Sequence, residues 1–183
     1  MTSPRANRRW ILGFTLIEVM AVTAIVTSMP VGAYARVQQK AHELNCKNNL
    51  DQIGKAIVMY HMNEGTYPKA AFYPSDPVNG ADSIRRILEE AGSGIPAEMW
   101  TCPSAPDALR DKGLTFVYNS DLGGRSSLAE PSRAWVLIEL NCVTPKVPMP
   151  HPAGYNILFA DGRLEQLNSK ELQTAIHKHG RDR

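Results

Sequence analysis

Cys102 and Cys142 each carry a nucleophilic thiol, and His151 is the base that could take its proton; Cys46 completes the three cysteines of the chain. No local motif orients such a base or builds an oxyanion hole, so no enzyme is expected. His42-Glu43 followed by Cys46 has the spacing of a zinc helix, but cysteine stands where H-E-x-x-H has its second histidine, and a helix face explains it more simply. His151 precedes Asp161-Gly162 by a spacing that could set a metal-ligand pair or an assembly contact. Asp-Gly is more simply a strong hairpin turn, and His151 is then a loop residue before Pro152. His177 and His179 lie in a charged C-terminal tail, where solvation is the simpler reading.

These side chains have to be positioned by a chain of 183 residues, 43% hydrophobic and 21% charged, enough for one modest domain plus an anchor. A net charge of +2 is too small to argue for nucleic acid or an acidic partner, and no nucleic acid is expected. The N-terminus is a local exception. Arg5, Arg8 and Arg9 precede an apolar run, and no acidic residue comes before Glu18. From Phe14 to Ala35 the ionisable side chains are Glu18 and Tyr34 alone, and this length of helix rises about 33 Å, sufficient for a hydrocarbon core of about 30 Å. The basic leader keeps the N-terminus cytoplasmic and sends the rest outward. The cysteines then meet an oxidising compartment, where one disulfide and one leftover thiol is the simplest count, with all three pairings open. A cleaved secretory signal ending at Ala33-Tyr34-Ala35 is the competing reading, but a signal core is short and uncharged, whereas this run is long and holds Glu18. Pro30 predicts a kink near Val26 to Pro30.

A carboxylate inside such a run costs a few kcal/mol and calls for a partner. Hydrolysis of the Gly13–Phe14 bond would create one, an α-amino group on Phe14 one helical turn from Glu18. The residues Gly13-Phe14-Thr15-Leu16-Ile17-Glu18-Val19-Met20 resemble the processing site of type IV prepilins and type II secretion pseudopilins. The resemblance implies cleavage after Gly13 by a prepilin peptidase, methylation of Phe14, and Glu18 as the assembly glutamate. Cys46-Lys47-Asn48-Asn49-Leu50-Asp51-Gln52-Ile53-Gly54, Gly65-Thr66-Tyr67-Pro68, Cys102-Pro103-Ser104 and the signature His151, Asp161, Gly162 are similar to pilin-like proteins with a C-terminal H-x9-DG pattern. Calcium enters because major pseudopilins bind it in a C-terminal loop. Asp107, Asp121 and Asp161 do not reproduce that ligand loop, so no residue is carried over and no cofactor is assigned.

Helical spacing continues through Val37, Ala41, Leu44, Leu50, Ile53, Ile57 and Tyr60, and Gly65 is a candidate C-cap. A short helix is expected over Asp82 to Glu90 with Asp82 as cap, strands at Thr115–Asn119, Trp135–Leu140, Tyr155–Ala160 and Arg163–Leu167, and a last helix from Ser169 to about Lys178. Asp161-Gly162 predicts a type I′ hairpin between the last two strands. The expected fold is α+β and pilin-like, a long N-terminal helix with a transmembrane half and an amphipathic half against a small antiparallel sheet. The expected divisions are a leader at 1–13, a transmembrane or filament-core helix at 14–35, an amphipathic stem at 36–64 and a globular head at 65–183.

The functional expectation is a structural subunit of a type II secretion or type IV pilus-like filament. It would sit in the inner membrane as a single-pass protein with a periplasmic head before joining a periplasmic or surface filament. Its partners would be prepilin peptidase, copies of itself and other pilin-like subunits, an inner-membrane assembly platform and membrane lipid. A ligand- or DNA-binding competence-type pilin is the alternative. It would need a basic stripe, whereas the head mixes signs and clusters only Lys178, Arg181 and Arg183. A membrane-anchored periplasmic enzyme is the third reading.

Overall fold

The computed structural model describes residues 15–27, 31–143 and 146–179. Two compact units are distinguished, Met1–Val37 and Gln38–Arg183.

In the first unit, α1 (Leu16–Thr27) starts in a capping box. The Thr15 backbone N–H and hydroxyl both donate to Oε2 of Glu18, each at 2.9 Å, and the Thr15 hydroxyl accepts the N–H of Glu18 at 3.3 Å. Apolar side chains follow with no polar face, and Leu16, Ile17 and Ile25 are 81%, 75% and 68% exposed. A second helix, α2 (Val31–Glu64), begins beyond, and within its second turn the sequence turns polar at Arg36, Gln38, Gln39 and Lys40.

This overturns part of the sequence expectation. The 12 described residues of α1 rise about 18 Å, short of the roughly 30 Å hydrocarbon core, and α2 turns polar from Arg36. Among the described residues no helix is long and apolar enough to cross a membrane. The pilin-like fold with a single long N-terminal helix and a transmembrane half is therefore corrected, and the single-pass inner-membrane placement and the transmembrane keyword lose their basis with it. What the described residues hold is five helices and a four-stranded antiparallel sheet. The kink expected at Val26 to Pro30 lies largely outside the described residues.

In the second unit, α2 ends as its sequence dictates: Gly65 adopts φ 72° and its N–H returns to the carbonyl of His61 at 2.9 Å. The sheet is β1 (Phe116–Tyr118), β2 (Trp135–Glu139), β3 (Tyr155–Phe159) and β4 (Leu164–Leu167), paired in sequence order. Strand residues alternate between the two faces. Phe116, Tyr118, Leu137 and Leu158 share a core with Leu50, Ile53 and Ile57 of α2. Val117, Ile138, Ile157 and Phe159 share one with Leu172 of α5 (Ser169–His179). A register irregularity between Trp135 and Leu137 lets Trp135 face α5 while Val136 and Leu137 face α2.

Three local expectations change in detail. The helix α3 is Ile84–Glu90, preceded by Ser83 rather than capped by Asp82. The last helix is capped not by Ser169 but by Asn168, whose side-chain oxygen takes the N–H groups of Lys170 and Glu171 while Glu171 accepts the N–H of Asn168. The β3–β4 turn is not type I′, because only Gly162 has positive φ, at 85°. Gly162 N–H closes onto the Phe159 carbonyl and Phe159 N–H pairs with the Arg163 carbonyl, the three-residue loop of a type I turn followed by a left-handed glycine. A one-turn helix, α4 (Asp107–Arg110), completes the set.

Candidate functional site

One buried cluster gathers residues from three distant parts of the sequence on the α2 side of the sheet. From α2 comes Cys46, fully buried, bonded to Cys102 in the loop that follows Trp100. That loop is held on both sides. Asn49, one helical turn after Cys46, donates to the Thr101 carbonyl at 3.0 Å, and the Cys102 N–H donates to the Thr115 hydroxyl at 2.6 Å. Asn49 is thus a buried clasp.

From the sheet come Glu139 and Asn156, whose positions beside the paired Ile138 and Ile157 put both side chains on the α2 face. Asn156 donates its backbone N–H to Glu139 Oε2 at 2.8 Å and its amide to Oε1 at 3.0 Å. The turn His151-Pro152-Ala153-Gly154 supplies the third element, closed by Gly154 N–H on the His151 carbonyl. Gly154 is required there: its φ is 132° and a Cβ would collide with the Leu167 backbone. The turn carries His151 inward, where Nε2 lies 2.7 Å from Glu139 Oε1 and 3.8 Å from Cys102 Sγ. Both side chains of the His151–Glu139 pair are essentially inaccessible to water.

A buried carboxylate is tolerated only when its lone pairs are engaged, and Glu139 is met by three N–H groups from His151 and Asn156. The cluster is nevertheless incomplete, because the buried His151 Nδ1 and Asn156 Oδ1 have no hydrogen-bond partner. Cys46, Cys102, Glu139 and His151 place one ligand atom each within 4.8 Å of one another.

The residues singled out by sequence are distributed as follows. Gly13 and Phe14, the cleavage positions, lie outside the described residues. Glu18 is at the start of α1, bonded to Thr15. Of the three cysteines, Cys46 and Cys102 are paired and Cys142 is a free thiol. Burial, with the charge of Glu139 adding to it, pushes the Cys142 thiol up to about 12, which makes it inert at neutral pH. Cys102 and His151 are adjacent, but the sulfur is committed to a disulfide and the site is closed to solvent, so the pair presents no nucleophile.

His151 is not the simple loop residue that its Pro152 neighbour suggests; it is a core histidine. Asp161 and Gly162 sit in the β3–β4 turn, where Asp161 accepts the Arg163 N–H. His151 and Asp161 therefore lie at opposite ends of β3, about 13 Å of strand apart, and do not form a ligand pair. His42 is exposed, while Glu43 beside it is buried under Lys40 and Lys47, each at 3.0 Å. Asp107 pairs with Arg110 on α4 and Asp161 with Arg163, while Asp121 belongs to the turn after Asn119. Among the described residues the three share no common site.

Sequence reasoning missed Glu139 and Asn156. Their mark was available: each is the polar residue of an otherwise apolar strand, Trp-Val-Leu-Ile-Glu and Tyr-Asn-Ile-Leu-Phe. Comparison with family models, with characterised proteins and with solved structures returned no match.

Proposed function

We propose that this chain is the structural subunit of a filament of the type II secretion or type IV pilus kind, processed after Gly13 by a prepilin-type peptidase and polymerised through its N-terminal helix. The observation that carries this reading is α1. A helix that is apolar all round is stable only when covered, and Leu16, Ile17, Val19, Met20, Val22 and Ile25 are each at least half exposed. Copies of the same helix supply a matching apolar cover, and the sequence around Gly13 resembles a site where subunits of such polymers are cut.

Glu18 has two roles in this reading. Its bonds to Thr15 cap the helix, and cutting between Gly13 and Phe14 leaves Thr15 in place, so the cap survives processing. The new Phe14 ammonium, from the same or a neighbouring subunit, then neutralises the carboxylate in the apolar filament core. The head, stapled by its disulfide, forms the outer surface.

A photo-crosslinking amino acid at position 25 of the full chain, produced together with a prepilin-type peptidase, tests the polymer. The expected product is a ladder at multiples of the chain mass that shortens when Glu18 is replaced by Gln. Crosslinks that never join two copies of the chain would contradict the reading.

A further inference from the structure

We propose that Cys46, Cys102, Glu139 and His151 form a zinc site in the chain whose Cys46–Cys102 bond is open, so that disulfide and metal are alternative staples at one position. The donor set is two thiolates, an imidazole and a carboxylate, the combination that selects zinc among the common divalent ions. The geometry supports it. Tetrahedral zinc with ligands at about 2.0 to 2.3 Å sets its ligand atoms roughly 3.3 to 3.8 Å apart. The four ligand atoms already lie within 4.8 Å of one another, and His151 Nε2 is 3.8 Å from the Cys102 sulfur. Opening the disulfide moves the two sulfurs from bonding to non-bonded distance, and the space between them is the position of the ion.

The surroundings fit a metal as well as a disulfide. All four side chains are buried, on α2, the Trp100 loop, β2 and the His151 turn, so the site is dry and is held by four separate segments. Asn156 donates twice to Glu139 and would orient its carboxylate as an outer-shell partner. Chemically, a dithiol reductant gives two electrons and two protons to the Cys46–Cys102 bond and is itself oxidised to a disulfide. Zinc then displaces the two thiol protons to solvent and forms two Zn–S bonds. A disulfide oxidant reverses the exchange and releases the ion.

Cobalt(II) is the probe, titrated into the reduced full chain without oxygen. The expected result is one tetrahedral cobalt per chain, seen as thiolate-to-cobalt charge transfer with intense d–d bands. Zinc should displace it, Cys142→Ser should leave it unchanged, and the oxidised chain should show none. His151→Ala and Glu139→Gln, checked for native circular dichroism, should each weaken binding by about tenfold or more. The reduced chain without substitutions provides a second measurement, in which zinc should slow alkylation of Cys46 and Cys102, read by mass spectrometry, while Cys142 stays unreactive at neutral pH with or without zinc. Absence of the cobalt bands, their loss in Cys142→Ser, or alkylation of Cys46 and Cys102 that zinc does not slow would overturn the proposal.

Discussion

Removing the Cys46–Cys102 bond by the double substitution Cys46→Ser and Cys102→Ser should cost the head much of its stability. The two residues are 56 apart in sequence, and closing a loop of that size removes about 14 cal/mol/K of chain entropy from the unfolded state, or about 4 kcal/mol at 25 °C. That is a large share of the 5 to 15 kcal/mol typical of a folded domain. For a unit of this size it corresponds to a fall of roughly 8 to 16 °C in the melting temperature. The assay is urea unfolding of the full chain followed by tryptophan fluorescence, since Trp100 and Trp135 are both buried in the head. Cys142→Ser should serve as the common background, to prevent thiol exchange. The urea slope should rise in the double variant, because an uncrosslinked unfolded chain expands further. A loss below about 1 kcal/mol with an unchanged slope would refute the reasoning, and would mean that Asn49 and Thr115 hold the loop without the bond.

Gly54→Ala should destabilise by roughly 1 kcal/mol, because the new methyl overlaps the buried Leu158 side chain and the overpacking outweighs the helix gain. In a Leu158→Ala background the same change should become stabilising, which urea unfolding would read as a reversal of sign. Glu139→Gln keeps the shape but turns an amide N–H toward groups that are themselves donors, so a loss of about 1 to 3 kcal/mol is expected in the same assay. At Glu43, burial pushes the carboxyl up, but the hydrogen bonds and charges of Lys47 and Lys40 outweigh it and hold the group below its ordinary value. A carboxyl lowered in the folded state stabilises above its unfolded pKa, and the contribution fades as pH falls through the folded value. Glu43→Gln should therefore cost less than about 1 kcal/mol at neutral pH and nothing in strong acid, as stability measured against pH will show.

The strands, α3 and the last helix were legible because their residue patterns are local: β-branched and aromatic runs bounded by Gly, Pro and Asp, and an apolar face from Ile84 to Leu88. The Asp161-Gly162 turn was found for the same reason. Its type was missed, because loop length and the pairing of Phe159 with Arg163, not the dipeptide alone, decide between the primed turn and the bulged one. The membrane span was counted on apolar residues alone from Phe14 to Ala35, whereas among the described residues α1 covers Leu16–Thr27 and α2 turns polar from Arg36, so no described helix is long and apolar enough to cross. Glu18 was singled out as a carboxylate in need of a partner, yet Thr15, three residues before it, is that partner in the uncut chain, a capping box written in the sequence itself. The Cys/Glu/His cluster was illegible as a unit. It depends on α2, a loop, β2 and a turn converging from positions 46 to 156, and spacing along the chain carries no trace of that.

The measurement closest to the central claim is the intact mass of the chain recovered from cells that contain a prepilin-type peptidase. Processing predicts loss of residues 1–13 and a chain beginning at Phe14, heavier by one methyl group on its amine. A chain that retains the Gly13–Phe14 bond, or that begins after Ala35, would contradict it.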